Sequence, residues 1–280
     1  MIESVVNISD GRDADVIAQL SSRCDAVLLD VHEDAVHDRS VFSLAGDEDD
    51  VYESCQSLAR TALELIDIHS HQGPHPRLGS IDVVPFVPLS SSSPEAVVVE
   101  RDRFATWAGT DLALPCFYYG PLPDGTLRYL PDVRRLAFSA LPPDTGPTVA
   151  HPTAGACAVG ARGHLVAYNI WLSRADITAA RDIASKLRSS DVKSLAFDMG
   201  STVQLSFNLT DPFTTGPTDV YDAASLLASE RDLGIERSEL VGLIPAALLA
   251  RIPRHRWAEL DVSPEQTIEA RMQDRGIAER

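Results

Sequence analysis

Residues 65–88 read LIDIHSHQGPHPRLGSIDVVPFVP, and this stretch joins a predicted helix to a predicted strand. Gly73, Pro74 and Pro76 interrupt regular secondary structure between the two elements, because proline lacks a backbone N–H donor and fixes φ. The residue before a proline is also pushed into an extended conformation. We therefore expect His75 to project from a stiff, extended loop.

The hydrophobic pattern outside this loop changes period repeatedly, which predicts alternating strands and helices. The predicted elements of the first half are the strand Val5–Ile8, the helix Gly11–Leu20, the strands Ala26–Val31 and Val41–Ala45, a helix opened by Asp47–Asp50, the strand Ile81–Leu89, the helix Pro94–Ala108 and the strand Leu112–Tyr119. Pro85 and Pro88 favour a sheet edge for the strand that contains them. The stretch 120–163, rich in proline and glycine, predicts a domain join or a binding loop.

The second half repeats the order of elements seen in the first. Its predicted elements are the strand His164–Leu172, the helix Arg174–Leu187, the strands Val192–Phe197 and Val203–Leu209, the helix Thr218–Leu233 and the strand Leu240–Ile244. Two βαββαβ units predict an α+β fold of two ferredoxin-like subdomains with a groove between them. We place the boundary at Arg162, giving subdomains 1–162 and 163–280, and predict a charged terminal helix over residues 254–280.

Composition narrows the classes of partner. The 280 residues carry a net charge of −17, which argues against nucleic acid and anionic membranes, since both require a basic surface. No apolar run approaches the roughly 18–20 residues of a membrane span, and the N-terminus has no basic segment of a secretory signal. Four widely spaced cysteines without a CxxC motif are typical of reduced thiols. We therefore predict a cytoplasmic protein whose ligands are small molecules.

Three interpretations of His69, His71 and His75 compete. These residues could form a structural turn, they could bind zinc through the His-x-His spacing, or one of them could act as a general base near neutral pH. No carboxylate lies at a diagnostic ligand spacing and the sequence has no HExxH motif. We therefore predict that the cluster holds no metal.

The same stretch resembles the signature of formiminotransferase domains, in which the histidine of a Gly-x-His-Pro-Arg motif is the catalytic base. The resemblance continues in chain order over roughly residues 3–250, which makes coincidence an inadequate explanation. The segments that carry it are Val5–Arg12, Val27–Asp30, Asp38–Val41, Gly146–Arg162, Ala167–Leu172, Gln204–Asn208 and Glu239–Pro245.

The resemblance implies two ferredoxin-like subdomains and a role in histidine degradation and one-carbon metabolism. The implied reaction moves a formimino group from N-formimino-L-glutamate to N5 of the co-substrate tetrahydrofolate, with His75 as general base. Both substrates carry carboxylates, so Arg39, Arg77 and Arg162 are candidate ligands. The implied folate-binding loop comprises Gly146, Pro147, Thr148, Val149, Ala150, His151, Pro152, Thr153, Ala154 and Gly155. The family tends to form homodimers, so a homodimer is an expectation for this chain.

The chain departs from the family pattern at four positions. Here His32 replaces an aspartate, Pro74 a glutamate, Ala150 a phenylalanine and Ala154 a tryptophan. Two alternatives stay open: a non-catalytic or repurposed relative that binds another ligand, which Pro74 and Ala154 motivate, and a related formyl transferase that uses the same base. Asp82, at the start of a strand, could orient a histidine or cap the turn.

Overall fold

The computed structural model describes residues 1–89 and 92–277 and has a mixed α+β architecture, as predicted. The described part of the chain divides into two compact units, which are Met1–Arg162 with residues 275–277, and Gly163–Asp274. All four cysteines are buried and free. Of the helices in the described part of the chain, none is long and apolar enough to cross a membrane.

The first unit contains a seven-stranded sheet in the order β2-β3-β1-β4-β7-β5-β6. The first four strands pair antiparallel, whereas β7 runs parallel to both β4 and β5. The strands are β1 Ile2–Ile8, β2 Leu28–Asp34, β3 Arg39–Gly46, β4 Ile81–Pro88, β5 Cys116–Pro121, β6 Leu127–Arg128 and β7 Cys157–Ala161. The helices are α1 Ala14–Ser22, α2 Glu48–Leu65, α3 Pro94–Asp111 and α4 Leu130–Leu136.

Helices α1, α2 and α3 supply side chains to one hydrophobic core beneath this sheet. Phe42 and Leu44 on β3 are fully buried there, together with Leu58 of α2 and Phe104 of α3. Successive side chains of a strand point to opposite faces of the sheet. Arg39, at the start of β3, therefore lies on the face opposite the core.

The sheet corrects two sequence predictions. Strand β4 lies between β1 and β7, so the predicted edge position was wrong. The interior position tolerates Pro85, which cannot donate a ladder hydrogen bond, because the β1–β4 pairing includes no partner for this residue. The stretch 120–163 is more than a join, since it contributes β6, α4 and the fully interior strand β7.

The second unit contains a four-stranded antiparallel sheet in the order β11-β8-β10-β9. Its first six elements follow the predicted strand and helix order: β8 Val166–Leu172, α5 Ile177–Leu187, β9 Val192–Asp198, β10 Val203–Leu209, α6 Pro217–Ser229 and β11 Ile235–Val241. The helices α7 Ala246–Leu249 and α8 Ile268–Asp274 come after them. The predicted terminal helix over 254–280 was wrong for most of its length. Short 3-10 turns at Arg254–Arg256 and Pro264–Gln266 precede α8, and residues 278–280 lie outside the described part.

Candidate active site

The loop that carries His75 is fixed to the turn between β2 and β3 by one arginine. Arg77 donates from Nη2 to the His37 carbonyl at 2.7 Å, from Nη1 to the Asp38 carbonyl at 2.9 Å, and from Nε to the His75 carbonyl at 3.2 Å. Three of the five N–H donors of this guanidinium are therefore bound to backbone. Gly73 allows the close approach, because a Cβ there would lie 1.9 Å from the His37 carbonyl oxygen.

Two hydrogen-bonding groups contact the same nitrogen of His75. Its Nδ1 lies 2.8 Å from the Pro76 carbonyl oxygen and 3.2 Å from Nη1 of Arg39. A carbonyl oxygen only accepts and a guanidinium only donates, so the shorter contact favours a proton on Nδ1 and the longer contact favours a proton on Nε2. The His37 ring packs edge-on against this ring, with 5.9 Å between centroids.

A buried carboxylate lies behind His75 and is shared by two guanidiniums. Asp82 is fully buried and accepts from Arg39 Nη1 at 3.0 Å, from Arg134 Nη2 at 2.6 Å and from the Leu78 backbone N–H at 2.7 Å. Burial alone would raise the pKa of Asp82, but the two guanidiniums outweigh it and lower that pKa to about 2. One carboxylate against two guanidiniums leaves a local positive charge in a strongly acidic chain.

Burial and the guanidiniums of Arg39 and Arg134 lower the pKa of His75 from its ordinary 6.5 to about 2. Burial is the largest cause, because an imidazolium loses hydration in the loop. The ring is therefore neutral at physiological pH. The neighbouring guanidiniums also make His75 a weak base. An anion that binds these guanidiniums should raise the pKa of His75 and make it a stronger base.

Comparison with known proteins matches this chain to one family. The model of the formiminotransferase domain, N-terminal subdomain, matches residues 1–162. The chain is 32% identical over 278 residues to a glutamate formimidoyltransferase of Thermoplasma acidophilum, with 91% of each chain covered. The chain belongs to the formiminotransferase family.

Two further relatives show how the match extends. A glutamate formimidoyltransferase of Streptococcus pyogenes serotype M1 is 31% identical over 276 residues, covering 91% of this chain and 92% of the relative. A formimidoyltransferase-cyclodeaminase of Rattus norvegicus is 33% identical over 276 residues, but only 51% of that protein is covered. This formiminotransferase chain therefore spans about half the length of the rat protein and nearly all of the two microbial ones.

The predicted folate-binding loop 146–155 lies directly beside the His75 loop. The Ser80 N–H donates to the Ala154 carbonyl at 3.0 Å, and the Ala156 N–H donates to the Leu78 carbonyl at 3.1 Å. Gly79 lies between these bonds, and a Cβ there would be 2.1 Å from the Ala154 carbonyl oxygen and 2.3 Å from that of Ala156. Only glycine permits this contact without displacing the backbone.

His69 and His71 hold backbone in place. His69 donates from Nε2 to the Pro152 carbonyl at 2.8 Å, which ties its turn to the loop 146–155. His71 accepts the Gly73 N–H at Nε2, at 2.8 Å, and its Nδ1 lies 3.1 Å from a carboxylate oxygen of Asp38. Within residues 1–89 and 92–277, no group of three or more His, Cys, Asp or Glu residues is arranged to hold a metal ion.

The remaining arginines differ in how they relate to His75. Arg39 contacts the ring and Asp82, whereas the Arg162 side chain hydrogen-bonds the buried Tyr119. Arg134, which the sequence did not suggest, contacts Asp82 and the Pro76 carbonyl. The only sequence signal was an Arg-Arg pair near the end of α4, inside the stretch interpreted as a join.

The low pKa of His75 predicts how stability changes with pH. Below about pH 6.5 the unfolded chain protonates this histidine and the folded chain does not, so the free energy of unfolding should fall as pH decreases. The slope from one such group is at most about 1.4 kcal/mol per pH unit, and partial exposure reduces it. His75→Gln should lose less stability than the native chain in urea titrations from about pH 7 to pH 4. If the free energy of unfolding falls equally with pH in the two proteins, the lowered pKa of His75 is contradicted.

Proposed function

We propose that this chain is an enzyme that transfers the formimino group of N-formimino-L-glutamate to N5 of tetrahydrofolate, a step in histidine degradation and one-carbon metabolism. The observation that carries the proposal is the neutral His75 ring, whose Nδ1 lies 2.8 Å from the Pro76 carbonyl oxygen in a Gly-Pro-His-Pro-Arg motif. The microbial relatives named glutamate formimidoyltransferase support the same activity.

The chemistry requires one proton to move. The N5 lone pair of tetrahydrofolate attacks the amidine carbon and forms a new C–N bond. The imidazole of His75 takes the N5 proton and returns it to the glutamate nitrogen as the original C–N bond breaks, so atoms and charge balance. A positioned general base of this kind contributes about 10²–10⁴-fold to the rate.

The positive charge around His75 suits the carboxylates of the substrates. We infer that Arg39, with its neighbour Arg134, attracts a substrate carboxylate to the edge of the site. Binding that anion would raise the pKa of His75 and so strengthen the base when the donor is present. For Arg77 we propose loop bracing in place of the carboxylate contact suggested by the sequence, because three of its donors are bound to backbone. A ligand role for Arg162 stays a prediction.

We also propose that residues 1–162 and 163–280 are the N-terminal and C-terminal subdomains of the domain, each ferredoxin-like. Support comes from the strand orders β2-β3-β1-β4 and β11-β8-β10-β9, in which the first strand of each βαββαβ unit lies between its third and fourth strands. A cytoplasmic location and a homodimer stay predictions for this chain.

A donor panel tests the proposed reaction. Purified chain is incubated with tetrahydrofolate and either N-formimino-L-glutamate or N-formyl-L-glutamate, and the folate product is identified by absorbance and mass. We expect 5-formiminotetrahydrofolate from the first donor and a far slower reaction with the second. A preference for the formyl donor would favour the formyl transferase alternative. Thermal stabilisation by folate without turnover would favour a non-catalytic relative.

The contact at Gly79 gives a prediction for the folate loop. Gly79→Ala should push the Ala154 and Ala156 carbonyls away and displace the loop 146–155, so the KM for tetrahydrofolate should rise several-fold while the KM for the donor changes less. Gly234→Ala is the matched control, because a Cβ there meets nothing closer than 3.5 Å. Unchanged folate KM in a folded Gly79→Ala variant would argue against this loop as the folate site.

A further inference from the structure

Residues 151–155 form a tight turn that closes on itself. The His151 N–H donates to the Gly155 carbonyl at 2.8 Å, and the Gly155 N–H donates to the His151 carbonyl at 3.0 Å. Gly155 has a φ of +70°, in the left-handed region that favours glycine. The turn therefore has a backbone shape that is fixed by its own hydrogen bonds.

Both ends of the loop that carries His75 are attached to this turn. At the start of the loop the Ile68 N–H donates to the Thr153 carbonyl at 2.9 Å, and at its end the Ser80 N–H donates to the Ala154 carbonyl. The turn therefore borders the site of His75, and a substrate that reaches this histidine comes close to the turn.

The imidazole of His151 caps the turn through one nitrogen. Its Nδ1 accepts the Ala154 N–H at 3.0 Å and the Thr153 N–H at 3.4 Å, and the Thr153 hydroxyl lies 3.5 Å away. Backbone N–H groups only donate, so both contacts require a lone pair on Nδ1. The neutral ring then carries its proton on Nε2.

The Nε2 atom of His151 is the nitrogen that the turn leaves for a ligand. Within residues 1–89 and 92–277 it has no hydrogen-bond partner, and it is not buried. The neighbouring Ala150 and Ala154 carry only methyl groups, which are too small to cover an imidazole edge. A ring held at one nitrogen is a preorganised donor at the other, because little freedom is lost when it binds an acceptor.

We propose that His151 binds tetrahydrofolate directly and donates its Nε2–H to a neutral carbonyl oxygen of the co-substrate. This inference rests on the proposed function, since it takes the loop 146–155 as the folate site. The chemistry favours folate over the donor. The donor is a small dicarboxylate that suits the guanidiniums of Arg39 and Arg134, whereas folate has neutral carbonyl groups that suit an uncharged N–H.

Two variants of His151 separate the roles of its nitrogens. In His151→Asn the side-chain oxygen can still accept the Ala154 N–H, as asparagine does in turns, but nothing replaces Nε2–H. Its unfolding temperature should stay near native while the KM for tetrahydrofolate rises about 3- to 10-fold, with kcat and donor KM near native. In His151→Gln the amide keeps an N–H near the position of Nε2 and loses the acceptor at Nδ1. This variant should unfold at a lower temperature and keep most of its folate affinity. The exposed His255, changed to Asn, is the matched control.

Nitrogen-15 NMR of the imidazoles supplies a readout that does not depend on turnover. The His151 signals are assigned by their loss in the two variants. In the native chain without substrate we expect Nε2 to be protonated and Nδ1 to be unprotonated. Saturation with tetrahydrofolate alone should shift the Nε2 signal and leave the tautomer unchanged.

The outcomes distinguish this inference from the proposed function. A His151 ring protonated on Nδ1, or native affinity for tetrahydrofolate in folded His151→Asn, would overturn the inference even if the native chain turns over. If His151→Asn does not fold, a native Nε2 signal that stays in place at saturating tetrahydrofolate would overturn it instead. Weaker tetrahydrofolate binding in His151→Asn, from a native chain that transfers no formimino group, would support the inference and reject the proposed function alone.

Discussion

His75→Ala should lower kcat for formimino transfer on the order of 10²-fold or more, while its thermal unfolding temperature stays close to that of the native chain. The rate falls because no other group replaces the positioned imidazole as acceptor of the N5 proton. Stability changes little because the ring lies in a loop, outside the hydrophobic cores. The measurement is steady-state kinetics with both substrates varied, accompanied by thermal melts.

His69→Ala and His71→Ala are the controls for this loss. His69 holds the Pro152 carbonyl and His71 accepts the Gly73 N–H, so each change removes a backbone contact and leaves the base in place. We expect modest losses of stability, of about 0.5–1.5 kcal/mol, and a far smaller loss of kcat than in His75→Ala. Near-native turnover in folded His75→Ala would end the assignment of the base and favour a non-catalytic relative.

The second large effect is on stability. Asp82→Asn should lower the free energy of unfolding by about 3 kcal/mol, because it leaves the part-buried guanidiniums of Arg39 and Arg134 without their shared carboxylate. The asparagine oxygen can still accept the Leu78 N–H, so the substitution isolates the charge. Urea unfolding at about pH 7 measures the loss.

An exposed ion pair provides the comparison for Asp82. Asp49 lies 2.7 Å from Arg103 and is 77% exposed, so Asp49→Asn should cost less than about 1 kcal/mol. The contribution of Asp82 should be complete above pH 3.8 and disappear as pH falls toward about 2, where the folded carboxyl is protonated. Equal losses in the two variants would show that the Asp82 carboxylate does not hold the site together.

Local pattern and motif were enough to predict most of the elements and the position of His75. Each element buries one face, and this produces the alternating residues of Val203–Leu209 and the apolar face of α2. Both patterns are therefore visible in the sequence. The Gly-Pro-His-Pro-Arg loop is likewise defined by local backbone restriction. The order of elements then gave the α+β class.

Contacts between distant segments could not be predicted in this way. Strand β7 is only five residues long, Cys157–Ala161, and its small side chains resemble those of the linker around it. Its interior position depends on pairing with β4 and β5, which lie far away in sequence. Arg134 reaches Asp82 across 52 residues, so no local pattern distinguishes it from the exposed Arg135.

The most direct test of the central claim follows the formimino carbon itself. N-formimino-L-glutamate labelled with carbon-13 at that carbon is mixed with tetrahydrofolate and excess protein, and the label is followed by NMR. For the native chain we predict that the label moves to N5 of the folate with one glutamate released for each carbon transferred, and that His75→Ala does this at least about 10²-fold more slowly. Label that stays on the donor, or that passes to water in place of folate, would contradict the account.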